Sequence, residues 1–172
     1  MQKGFATLEI ILAIMIIAVL TKFAVPNAVR LVDRAALDYE TKRLYSELSF
    51  VKAIGKLSTI LDTGTGNTKI ITSSGDKTVL VIDTLNGSYQ AFRGTTFNKK
   101  AIREPHYLEN GITISFKSSV PQDMITFNRL GNATDIANKA LSNTLILTSR
   151  LKQKKHIVFD SVGRIRGSLT DD

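Results

Sequence analysis

Glu9 is a carboxylate set inside Phe5–Val25 (FATLEIILAIMIIAVLTKFAV), a run whose other charge is Lys22. As a helix the run would span about 31 Å at 1.5 Å per residue, one hydrocarbon core. An ionised carboxylate at that depth is costly, so it calls for a role or a partner. A second concentration of charge lies near the other end, where Arg150, Lys152, Lys154, Lys155, Arg164 and Arg166 are opposed only by Asp160. If Thr144–Thr148 and His156–Phe159 pair as a hairpin, the three lysines crowd its connection. Arg164 and Arg166 flank Ile165, so in an extended strand both arginines share one face, and their forked donors suit successive phosphates. Such binding would be led by phosphate and independent of sequence, since Phe159 is the one aromatic nearby and offers little base stacking. The competing reading is a solvated, charged edge that blocks sheet aggregation.

Catalysis finds little support. His106 and His156 are far apart in sequence and lack acidic or nucleophilic neighbours at a telling spacing; His106, after Glu104-Pro105, reads as a solvated turn residue. Gly64-Thr65-Gly66-Asn67-Thr68 lacks the Gly-Lys-Ser/Thr of a phosphate loop and follows a helix instead of a strand, so it reads as a turn. Asp171 and Asp172 read as a frayed tail. The chain has no cysteine, which removes disulfides, thiolate metal sites and cysteine nucleophiles together. No catalytic residue, metal or cofactor is expected.

The elements that must position these charges follow from periodicity. Leu37, Leu44, Leu48 and Val51 form a one-sided apolar stripe, with Arg30, Asp33, Arg34, Asp38, Glu40, Lys42 and Arg43 on the other faces. Together with the apolar run this predicts one helix from about Phe5 to about Lys56. It should bend or locally melt at Pro26, which lacks a backbone donor, and end through Gly55 and the turn-rich Asp62–Asn67. Beyond it, Lys69–Thr72, Thr78–Asp83, Ser88–Phe92, Ile112–Lys117, Ile125–Phe127, Thr144–Thr148 and His156–Phe159 read as short strands of an antiparallel head. The 172 residues leave room for one domain beside the helix, and a net charge of +8 favours anionic partners.

The order Met1-Gln2-Lys3-Gly4, Phe5 and Glu9 resembles the N-terminus of type IV prepilins and type II secretion pseudopilins. A secretory signal would want small residues at a cleavage site, but Lys22 precedes Ala24 by two and Ile16 precedes Ala18 by two. The resemblance implies that a prepilin peptidase cuts after Gly4 and N-methylates Phe5. It also implies that Glu9 pairs with the N-terminal amine of a neighbouring subunit, each charge removing the other's burial penalty. Pro26 stands where many family helices carry a proline on leaving the bilayer. The family's usual F-T-L-I-E is here Phe5-Ala6-Thr7-Leu8-Glu9, with glycine, phenylalanine and glutamate keeping their spacing.

The C-terminal third looks like the GspH/FimT branch of minor pilins and pseudopilins. It carries Phe127-Asn128-x-x-Gly131, then Thr144-Leu145-Ile146-Leu147, then Phe159-x-x-x-Gly163-Arg164-Ile165. The implied fold is α+β, a long N-terminal helix packed on an antiparallel β-sheet or sandwich. Residues 1–4 would be the leader, 5–25 the transmembrane part of the helix, 26–56 its amphipathic half and 57–172 the head. The implied location is the cytoplasmic membrane with the head outside the cytoplasm, then a filament. Implied partners are other pilin subunits, the peptidase and an inner-membrane assembly platform. Gly163-Arg164-Ile165-Arg166 also resembles the Gly-Arg-x-Arg tail implicated in DNA capture by FimT-like minor pilins, which would add DNA as a partner. The alternative is a GspH-like secretion pseudopilin with no role in DNA binding.

Overall fold

A stretch with apolar residues every three or four positions and no glycine between Gly4 and Gly55 has every local reason to stay helical. In the computed structural model, which describes residues 3–57, 77–94, 99–117, 123–135, 137 and 139–168, it does so without interruption as α1 (Lys3–Leu57). The expected melt at Pro26 does not occur, because long flanking helix carries the chain across one missing hydrogen bond. Gly55 does not end α1 either. It lies in the last turns, buried against Phe127, where a Cβ would stand 2.7 Å from the Phe127 carbonyl oxygen.

The head is two antiparallel sheets. In the first, β1 (Lys77–Asp83) lies between β2 (Ser88–Gly94) and β6 (Met124–Phe127). The short strands β3 (Lys99–Ala101) and β4 (His106–Tyr107) both pair with β2, and β7 (Ala133–Thr134) pairs with β6. The second sheet has the order β10 (Ile165–Ser168), β9 (Lys154–Phe159), β8 (Asn143–Thr148), β5 (Thr113–Phe116). Alternation sets its faces: Leu145, Leu147, Ile157 and Phe159 are fully buried while Thr144, Ile146, Thr148, His156 and Val158 turn outward. These inward residues, Leu80, Ile82, Ile125 and Phe127 of the first sheet, and the helix stripe Leu37, Leu44, Leu48 and Val51 form one continuous core.

Two turns of the same design close the corner where the sheets meet. Gly131 N–H donates to the Asn128 carbonyl and Gly163 N–H to the Asp160 carbonyl, at 2.8 Å each. In each turn the leading side chain accepts from a backbone N–H four residues on, Asn132 to Asn128 and Arg164 to Asp160. Both glycines have positive φ, 82° and 78°. A Cβ on Gly163 would come within 1.6 Å of the Gly131 oxygen, so the turns touch only because Gly163 carries no side chain, whereas a Cβ on Gly131 would meet the Lys56 and Lys52 side chains of α1. Six predicted strands have counterparts in β1, β2, β5, β6, β8 and β9. The predicted strand Lys69–Thr72, the turns in 62–68 and the Asp171-Asp172 tail lie outside the described residues.

Candidate functional site

The N-terminal half of α1 is long and apolar enough to cross a membrane, and none of its most apolar stretch is buried by the other described residues. Leu8, Ile11, Leu20 and Phe23 are each more than 60% exposed. So much uncovered apolar surface needs lipid or other helices around it. Glu9 is exposed on this stretch, with the Gly4 and Phe5 backbone one turn before it.

Where α1 meets the head, its acids do not face solvent as the periodicity suggested. Asp33 accepts from the Ser149 hydroxyl at 2.6 Å, Asp38 pairs with Lys155, Glu40 with His106 Nε2 at 2.8 Å, and Glu47 with Arg103 at 2.5 Å. Lys52 Nζ donates to the Gly163 carbonyl at 2.8 Å. The Arg103 guanidinium also lies over the Phe50 ring, 3.9 Å from its centroid. His106 is therefore not a solvated turn residue. β4 holds it against the helix, edge-on to Tyr89 at 5.1 Å, because the polar stripe of α1 needs cationic and hydroxyl partners from the sheets. Tyr89 is 3% exposed, and burial, followed by the Glu40 carboxylate, pushes its phenol above the ordinary value.

The six basic residues near the C-terminus are not one cluster. Lys155 is 2% exposed and turns inward to Asp38; it leaves the phosphate-facing set, because its position on β9 alternates with the outward Lys154. Arg150 and Lys152 are exposed in the β8–β9 turn, with Lys152 at φ 65°, and Lys154 follows on the outer face. Arg164 and Arg166 are exposed at the other end of β9, with Arg166 about 13 Å and Arg164 about 20 Å along the sheet from Lys154 at 3.3 Å per residue. They do share a face, with Ile165 turned toward the core. Arg164 is partly spent on its own turn: its backbone N–H, 2.8 Å from Asp160, and its side chain hold that carboxyl below the usual carboxylate range. Arg166 sits beside Val158, which sits beside Thr144, on an outer face whose strand positions carry no acid among the described residues. No group of His, Cys, Asp and Glu among the described residues is arranged to hold a metal ion.

A long apolar helix whose second half is the spine of an antiparallel two-sheet head defines the α+β fold of type IV pilin-like proteins. The sequence matches no protein-family model and no curated protein. In structure the chain is similar to the minor pseudopilin EpsH from the Type 2 Secretion System of Vibrio cholerae, with TM-score 0.53 and 13% identity over 76% of this chain and 94% of that one. It is similar as well to the type IV minor pilin FimU of Pseudomonas aeruginosa, with TM-score 0.54 and 12% identity over 80% of this chain and 92% of that one. A second crystal form of FimU gives TM-score 0.50 over 76% and 91%. The chain thus has the fold shared by minor pilins and minor pseudopilins.

Proposed function

We propose that this chain is a minor pilin or pseudopilin subunit of the GspH/FimT type. It is anchored in the cytoplasmic membrane by the first half of α1, with its head outside the cytoplasm, and assembled with other subunits into a filament by helix packing. The observation that carries this reading is the uncovered membrane-length half of α1, continuous with a buried spine and carrying a single carboxylate, Glu9, near its start. Pilin-type processing accounts for that carboxylate: cleavage after Gly4 leaves a free amine on Phe5, which can meet Glu9 of an adjacent helix. The test is co-expression with a prepilin peptidase and an intact-mass measurement. The chain should lose Met1–Gly4 and gain one methyl group, and Gly4→Val should stay full length. A chain that keeps its first four residues contradicts the reading.

A second function, DNA capture, is favoured by the outer face that displays Lys154 and Arg166 and whose strand positions carry no acid among the described residues. Arg164 contributes less, being shared with Asp160. Arg150 and Lys152 extend the basic surface around the β8–β9 turn. For the full chain in detergent micelles, the double change Lys154→Ala, Arg166→Ala should weaken duplex binding equally for unrelated sequences. It should also flatten the log–log salt slope by about 2, at roughly 0.9 per phosphate contact. An unchanged slope leaves those residues as edge protection and favours the secretion pseudopilin.

A further inference from the structure

β10 is the terminal strand of its sheet: β9 pairs with one side of it, and among the described residues no strand pairs with the other. Asp160 N–H donates to the Arg164 carbonyl, which fixes the phase of the β9–β10 ladder. Arg166 and Ser168 then turn their backbone groups toward β9, and Ile165 and Gly167 turn theirs toward the open edge. Among the described residues nothing lies within 4 Å of where a Cβ on Gly167 would stand, so this strand position is bare on its helix side. Beside this edge runs a groove of about 300 Å³ between α1 and Ile165, lined by Tyr45, Ser49, Lys52, Ala53 and Lys56.

We propose that this edge is a docking site for an extended, acidic segment of another protein chain, which adds to the four-stranded sheet as a fifth strand. Charge selects the occupant. Arg164 and Arg166 stand on the outer face of the edge and Lys52 and Lys56 on its helix side, while Asp160, the nearby acid, is already held by Arg164. A strand with carboxylates at alternate positions sets them beside the arginines and lays its small apolar side chains toward Ile165 and the groove. The chain's own Lys69–Thr72 carries a lysine and no carboxylate, so it does not meet this charge pattern. Arginines on an edge also serve to keep other strands away. The bare Gly167 and the groove beside it are what that protective role leaves unexplained. This inference goes beyond filament membership and does not depend on DNA binding.

The probe is a fluorescent peptide of alternating Glu and Val, titrated against the full chain in detergent micelles at low salt. Its controls are the same peptide N-methylated at every residue and a Lys/Val counterpart. Gly167→Pro removes an N–H that points to the open edge and leaves the β9 ladder intact. It should weaken binding at least tenfold, as should N-methylation, and the Lys/Val peptide should not bind. Arg166→Glu should weaken the Glu/Val peptide and admit the Lys/Val one, a gain that misfolding cannot produce. Failure of the Glu/Val peptide to bind overturns the proposal. So does binding that survives both Gly167→Pro and N-methylation, which would be charge attraction without strand addition.

Discussion

Lys155 shows how one residue can be read correctly for charge and wrongly for place. Its neighbours Lys152 and Lys154 are exposed, but alternation along β9 turns Lys155 inward onto Asp38. The alternating burial along β9 follows from the apolar positions Ile157 and Phe159, so the parity that puts those residues inside also buries Lys155. That signal lay in the sequence and was outweighed by the density of lysines. His106 is different: its partner Glu40 lies 66 residues away, and no local pattern reveals that β4 brings them together. Lys155→Ala removes both the ion pair and the buried stem. Asp38 keeps about a third of its surface in water and is partly rehydrated, so the loss should be about 2 kcal/mol in denaturant unfolding. Lys155→Met keeps the stem and should lose clearly less. Equal losses would show that the charge pair, and not the packed stem, carries the effect.

At the scale of elements, the helix and the longer strands were legible because their periods are strong and their length gives the pattern room. β3, β4 and β7 have two or three residues each, too few to show a period, and exist because longer neighbours offer hydrogen-bonding edges. Pro26 does not melt α1, since a single missing donor is a small local loss against a 55-residue helix. The paired turns were visible as Phe-x-x-x-Gly, yet only the structure shows Gly163 seated on Gly131. Gly163→Ala places a methyl inside that contact and forces a side chain into φ 78°. It should destabilise the head by at least about 2 kcal/mol, against a few tenths for Gly167→Ala on the open strand. Similar losses at the two sites would mean that the turn contact does not join the sheets.

On the scale of the whole molecule, α1 divides the labour. Its second half spends Asp33, Asp38, Glu40 and Glu47 on the head, and the helix and both sheets share one core. Its first half offers the head nothing and presents a membrane-length apolar surface with one carboxylate. Pairing Lys155 with Asp38 leaves Lys154 and Arg166 as the exposed cations on the outer strand positions of the four-stranded sheet. The proposed filament membership rests on the first half of the helix, and the proposed binding functions rest on the head.

The most direct test of the account is incorporation of Glu9→Ala into filaments in a cell that carries the assembly machinery, measured by the variant's share of sheared filaments against its level in the membrane. The account predicts a chain that is inserted and cleaved at Gly4 like the parent but is missing from filaments. Incorporation at the parent's level would contradict it and leave the carboxylate of the apolar run without a role.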